Sequence, residues 1–217
     1  MTNRNKGIIY KTLDYKESSK LLFVYTPIGK ITLVANGVKS YKNEFRHLAQ
    51  YLTEIEFDSK ESDMYSLQKA VLVDDYHVVK SNYLLTKRVS IIFELIDHLV
   101  TEDLPHDKVY HLLSLLKENA RLAALVFPIK MLYLLGYALD FVGDDPLGFS
   151  VKEAKVSTVE NGLFSDFTLE ETVLLSKLYF YKSSELVLTE KETLVAERFI
   201  RAFYRYHLEY EVRALKE

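Results

Sequence analysis

Lys20-Leu21-Leu22-Phe23-Val24-Tyr25-Thr26-Pro27-Ile28-Gly29-Lys30-Ile31-Thr32-Leu33-Val34-Ala35 reads as two short strands around a tight turn. Apolar and polar positions alternate with period two on both sides, and Thr26-Pro27-Ile28-Gly29 supplies the turn chemistry between them. Working outward, Gly7–Leu13 is a strand before this hairpin, and Asn36-Gly37 ends it. Tyr51–Phe57 alternates again, with Glu54 and Glu56 on the face opposite Ile55 and Phe57. The polar run Asp58–Asp63 then turns the chain into a fifth strand over Met64–Val73. Residues 40–50 read as a short helix between the third and fourth strands. Five strands with a helix in that place give the order of an OB-fold, a small barrel that closes its own edges. A small SH3-like barrel is the competing arrangement.

Beyond about residue 81 the period changes to 3.6. Leu84, Leu85, Val89, Ile92, Phe93 and Ile96 make one helical stripe, and Val109, Leu112, Leu113 and Leu116 a second. Leu122, Leu125, Val126, Ile129, Leu132 and Leu135 make a third, with Gly136 where a C-terminal cap belongs. Thr168 and Thr189, each followed by Glu three residues on, open two further helices, the last running over 189–216. Residues 140–167 hold Gly143, Asp144, Asp145, Pro146, Gly148 and Gly162 and read as a loop-rich insertion. The expected architecture is therefore α+β, with a five-stranded barrel over 1–78 and an all-α helical domain over 79–217.

Composition removes several kinds of chemistry. The 217 residues contain no cysteine, which excludes disulfides, thiolate zinc sites and cysteine nucleophiles. No apolar run approaches the length of a spanning helix or a signal peptide, so a cytoplasmic protein without membrane contact is expected. Phosphate-loop, dinucleotide, H-E-x-x-H and G-x-S-x-G patterns are absent, and the six histidines include no i,i+4 pair. No catalytic residue, metal ligand or cofactor is assigned on these grounds, and the chain reads as a binding protein.

Charge is distributed unevenly. The formal net charge is −3, yet residues 1–46 carry nine Lys/Arg against three acids, a surplus of +6 that leaves −9 for the remainder. Local charge decides where a polyanion docks, because screening confines its attraction to about 10 Å in physiological salt. Within Gly29–Arg46, Lys39, Lys42 and Arg46 share one face if that segment is helical, and Lys30 adds a fourth cation. Tyr41 there offers a ring on which a base stacks, an interaction worth about 1–3 kcal/mol and tolerant of sequence. The same residues also fit a solvated helix face with Tyr41 packed on the barrel. Arg198, Arg201 and Arg205 form another stripe, but Glu192, Glu197, Glu209 and Glu211 are near enough in sequence to pair with them. Arg121 and Lys130 flank and interrupt an apolar helix, a setting suited to an acidic peptide with an apolar end.

The order of these motifs resembles the bacterial RecO family of recombination mediators. Gly7-Ile8-Ile9-Tyr10-Lys11-Thr12-Leu13-Asp14-Tyr15-Lys16-Glu17-Ser18-Ser19-Lys20-Leu21-Leu22, followed by Thr26–Ile31 and Asn36-Gly37-Val38-Lys39, is similar to that family's first three strands. Leu134-Leu135-Gly136-Tyr137 matches the segment before its zinc loop, and Tyr206-His207-Leu208 its closing helix. The resemblance implies binding and annealing of single-stranded DNA, partnership with RecR and with the C-terminal tail of the single-stranded DNA-binding protein, and loading of recombinase. Two departures accompany it. The four zinc-holding cysteines of many members are missing between Asp144 and Asn161, so packing or a polar network must hold that loop. The basic run after the third strand is also thinner, with Asn36, Val38 and Asn43 among its positions, which implies weaker and more salt-sensitive DNA binding.

Overall fold

Strand β1 (Asn3–Tyr15) is long enough to serve two partners. Its second half pairs antiparallel with β2 (Ser19–Thr26), from Ile8 opposite Tyr25 to Tyr15 opposite Ser19. Its first half pairs with β4 (Thr53–Ser59), from Asn3 opposite Ser59 to Ile9 opposite Thr53. The register shifts between Ile9 and Lys11, a bulge that bends the strand as a small barrel requires. β3 (Gly29–Ala35) follows β2 as the predicted hairpin partner. The computed structural model describes residues 3–59, 65–182 and 185–216; most of the turn expected over Asp58–Asp63 and the start of the strand expected at Met64 lie outside them.

The sheet closes through one interrupted strand. β5 (Tyr65–Ser66) pairs parallel with β3, while β6 (Gln68–Asp74) pairs antiparallel with β4, so the two ends of the order β5-β3-β2-β1-β4-β6 are separated by Leu67 alone. Leu67 itself donates its N–H to the Val34 carbonyl. The expected fifth strand is thus present in two pieces, and the N-terminal sheet has the OB-type curl. Ile9, Leu22, Val24, Leu33, Ile55 and Phe57 fill its interior, each contributing about 1.5–3 kcal/mol by leaving water. Helices α1 (His77–Lys80), α2 (Tyr83–Leu99), α3 (His106–Leu112) and α4 (Leu115–Glu118) follow. Two compact units result: residues 1–86 with 96–117, and residues 87–95 with 118–217.

Residues 40–50, expected as a helix, form a succession of turns. Ser40 donates to Gly37, Asn43 to Ser40, Arg46 to Asn43 and Leu48 to Phe45, all through i→i−3 backbone bonds. The physical reason lies in Asn43, whose side-chain oxygen takes the Phe45 N–H while its amide donates to the Asn36 carbonyl, competing with helical bonding. Val38, Phe45, Leu48 and Ala49 are thereby turned onto the barrel core.

The second unit is built on α5 (Ala120–Leu134), largely apolar and buried from Leu122 to Ile129. Gly136 at φ 93° ends it in a Schellman motif, with Tyr137 N–H bonded to Leu132 and Gly136 N–H to Tyr133. Pro128 lies inside this helix, and the fully buried Tyr204 hydroxyl donates to its carbonyl at 2.8 Å. The insertion expected to be loop-rich is instead a three-stranded antiparallel sheet of β7 (Pro146–Ser150), β8 (Lys155–Thr158) and β9 (Phe167–Thr168). Helices α6 (Leu169–Tyr179) and α7 (Glu190–Leu208) start at Thr168 and Thr189 with complete capping boxes to Glu171 and Glu192. The last helix stops earlier than expected, at a left-handed Glu209, and a short 3-10 turn follows over Arg213–Leu215.

An aromatic cluster holds this sheet, which has no cysteine to ligate zinc. Phe149 packs on Phe141 at 5.1 Å and on Phe199 at 5.7 Å, and Phe167 reaches Phe199 at 5.5 Å. Asn161 ties the β8 end by bonding Thr158, Leu163 and Val156, and Asp166 accepts the Val151 N–H at 2.8 Å. Two outcomes are expected. Phe149→Ala costs about 3–5 kcal/mol, which at about 2–4 °C per kcal/mol appears as a clear drop in Tm by calorimetry, whereas a chelator leaves Tm where it was. Gly7→Ala also lowers Tm, by about 1–3 kcal/mol of overpacking, because its Cβ would lie 2.6 Å from both the Tyr25 carbonyl oxygen and Val24 Cγ1.

Candidate nucleic-acid interface

Turning Val38, Phe45, Leu48 and Ala49 inward leaves the residues between them outside. Tyr41 is 90% exposed, and the Arg46 guanidinium lies 3.8 Å from its ring centroid. A large aromatic ring in water with a cation over one face is a stacking platform that leaves the other face open to a base. Lys42 beside it is exposed and has no carboxylate within 4 Å among the described residues. Lys39 is differently placed, since its ammonium pairs with Asp14 at 2.9 Å.

The β1–β2 turn joins this end of the barrel. Lys39 N–H donates to the Ser18 carbonyl and Gly37 N–H to the Ser19 hydroxyl, stitching the two connections together. Lys16, in the left-handed conformation, places its ammonium 5.1 Å from the Tyr15 ring centroid. Tyr15 and Lys16 therefore repeat the cation and ring arrangement of Arg46 and Tyr41. Sequence reasoning passed over them; the signal available was an aromatic-basic pair in the turn before the hairpin. Over residues 14–20 and 36–47 five cations face three carboxylates, a local surplus of +2.

Lys30 does not join this group. It stands at the start of β3, and Lys39 follows the other end, with about 17 Å of strand between Lys30 and Ala35. Its ammonium donates to the Asp97 carbonyl at 2.9 Å, and desolvation by burial lowers its pKa, with Asp97 opposing and neighbouring Lys11 reinforcing. Much of the remaining N-terminal surplus is also internally paired: Arg4 with Glu56 at 2.8 Å, Lys6 with Glu54 at 3.3 Å and Lys11 with Asp97 at 2.8 Å.

In the second unit Arg121 and Lys130 occupy opposite faces of α5, nine residues apart and so about half a turn out of phase and 13.5 Å along the axis. Arg121 is exposed at the rim of a groove of about 110 Å³ lined by Leu122, Leu125, Leu186, Val187 and Leu188. Lys130 is half-buried, donates to the Tyr181 carbonyl, and has its pKa lowered by burial first and by Lys182 second. Along α7, Arg198 pairs with Glu171 at 2.7 Å and Arg205 with Glu211 at 2.6 Å. Among the described residues no group of three or more His, Cys, Asp or Glu side chains is arranged to hold a metal, and no helix is long and apolar enough to cross a membrane.

Comparison with known proteins agrees with the fold and the motif order. The family models "Recombination protein O N terminal" and "Recombination protein O C terminal" match residues 1–76 and 86–216. The chain is similar to the DNA repair protein RecO of Bacillus mycoides (strain KBAB4), at 28% identity over 169 residues covering 70% of this chain and 68% of that protein. The proteins of the same description from Bacillus cereus (strain AH187) and Bacillus anthracis (strain CDC 684 / NRRL 3495) are 27% identical over the same lengths and shares. With one model spanning the barrel and the other the helical region, this chain belongs to the RecO family of DNA repair proteins.

Proposed function

We propose that this chain is a non-enzymatic recombination mediator that binds and anneals single-stranded DNA and helps load recombinase in recombinational repair, working with RecR and the single-stranded DNA-binding protein. The observation that carries this reading is Tyr41, almost wholly in water and stacked on one side by Arg46. A base lies on the open face of that ring while Lys42, Arg46 and Lys39 meet successive phosphates, with Asp14 yielding Lys39 to the strand. Tyr15 with Lys16 extends the track across the β1–β2 turn. Lys30 stays outside it and braces the Asp97 carbonyl.

Fluorescence anisotropy with labelled oligo-dT tests the assignment. Tyr41→Ala weakens binding by about 1–3 kcal/mol, which is roughly 5- to 150-fold, and Lys42→Ala flattens the salt dependence. Three to five phosphate contacts predict a slope of log K against log salt of about −2 to −3.5. Lys30→Ala binds like the parent. No affinity at low salt, or a Tyr41→Ala variant that binds like the parent, overturns the site.

A second reading rests on the Arg121 groove. Four leucines beneath an exposed guanidinium suit the apolar end and the acidic residues of a peptide tail such as that of the single-stranded DNA-binding protein. On this reading protein contacts dominate and DNA affinity is minor. Arg121→Glu then weakens tail-peptide binding at least tenfold in calorimetric titration and leaves oligo-dT affinity alone. A peptide affinity unchanged by Arg121→Glu removes this reading.

A further inference from the structure

The first unit encloses a second site, away from the proposed strand track. Ile55 and Phe57 face the barrel interior, so Glu54 on the same strand points to the outer face, where it is nonetheless 3% exposed. Its carboxylate forms one wall of a cavity of about 200 Å³. Oε1 accepts the Tyr110 hydroxyl at 3.1 Å and lies 3.3 Å from the Lys6 ammonium. Oε2 lies against the Lys117 ammonium in a geometry that leaves it without a directed hydrogen bond. Tyr76, 5% exposed, also lines the cavity, and its buried hydroxyl has no hydrogen-bond partner among the described residues. Its backbone is held in the left-handed region at φ 50°.

An unpaired buried hydroxyl is rare enough to call for an explanation, such as a solvent molecule or a ligand. The polar lining favours an anion. Two ammonium groups face one carboxylate there, and each ammonium carries three N–H donors, more than Glu54 uses. The His111 ring also lines the cavity. The remaining walls are mostly apolar, formed by Ile8, Leu113 and the rings of Tyr76 and Tyr110, with Ser114 beside them. Inorganic phosphate would leave those walls unmatched, whereas a carboxylate on an apolar body meets both parts.

We propose that this cavity binds a small monocarboxylate with an apolar body, its carboxylate accepting from the Tyr76 hydroxyl and from the Lys6 and Lys117 ammonium groups, its body lying on Ile8 and Leu113. With the ligand bound, two carboxylates alternate with two ammonium groups and the site is neutral. Tyr76 is the selecting residue, because its hydroxyl has no other hydrogen-bond partner among the described residues. From Lys6 to Tyr15 the β1 strand runs up to about 30 Å, so the site is independent of DNA binding and of the function proposed above.

Benzoate is the probe, with benzamide as its neutral isostere and inorganic phosphate as the bare anion, each titrated calorimetrically into the full chain. Benzoate binds saturably at one site and at least tenfold tighter than benzamide or phosphate. Tyr76→Phe weakens benzoate about tenfold, as expected for one hydrogen bond to a charged group, while its Tm stays equal or rises because an unpaired buried hydroxyl has gone. Lys117→Met weakens it further, and oligo-dT affinity is unchanged in both variants. A tripeptide ending in a free-acid leucine, compared with its amide, identifies the source: a free acid tighter than benzoate points to a polypeptide C-terminus, and benzoate alone to a free metabolite. Benzoate binding no tighter than benzamide, or equal binding by Tyr76→Phe, means a merely hydrated cavity and overturns the proposal.

Discussion

The packing of Val38, Phe45, Leu48 and Ala49 against one end of the barrel governs the surface that this protein presents there. On an ideal helix Val38, Phe45, Leu48 and Ala49 would fall within about 100° of one another, so burying them together is compatible with a helix and does not by itself select turns. Asn43 selects successive tight turns instead, bonding both flanks of its own loop. The price of that solution is Tyr41, a large ring left in water. Hydrophobic burial alone would draw it in. It remains out because the turns around it are fixed by neighbours that are buried, and Arg46 covers one face of its ring.

The same logic, buried aromatics dictating a local fold, operates in the second unit. A thiolate zinc site fixes a loop by a few strong bonds, whereas the sheet of β7, β8 and β9 relies on many weak ones. Phe141, Phe149, Phe167, Phe199 and Phe203 form a connected set of ring contacts that runs from the insertion into α7. His207 extends it, stacking on Phe203 at 4.2 Å and bonding the Val151 carbonyl at 2.7 Å. Such a set spreads the stabilisation over the unit, so the insertion and the closing helix depend on each other. No thiolate zinc site takes part in that dependence, since the chain contains no cysteine.

Much of the fold was legible in the sequence because its signals are local. Alternation over Lys20–Thr26 and Lys30–Ala35, the Thr-x-x-Glu boxes at Thr168 and Thr189, and Gly136 as a cap each act within a few residues. The expected helix at 40–50 failed for a specific reason: a spacing of three to four between Lys39, Lys42 and Arg46 fits consecutive i→i−3 turns as well as a helix. The insertion failed for another, because β7, β8 and β9 are too short for alternation to register, and the long-range signal was the phenylalanines. Of the candidate site, the residues around Tyr41 fell together, while Lys30 did not. Its partner Asp97 lies 67 residues away in sequence, beyond any periodicity argument.

That distance also explains how an acidic chain keeps a cationic end. Counting the first 46 residues alone gives a surplus of +6, but Arg4, Lys6 and Lys11 spend theirs on Glu56, Glu54 and Asp97, which lie outside that window. The exposed pairs among these, Arg4 with Glu56 foremost, contribute little to stability, commonly under about 1 kcal/mol. Their consequence is positional: they cancel charge along one flank of the barrel and leave the surplus at the end formed by the β1–β2 turn and the β3–β4 connection. A polyanion within a screening length of about 8 Å therefore senses the turn-borne cations around Tyr15 and Tyr41 more strongly than the net charge of the whole chain. Pairing Lys6 and Lys117 with the buried Glu54 does the opposite work on the outer face, bringing two ammonium groups onto one carboxylate beside a cavity where a small anion, not a nucleic acid, fits.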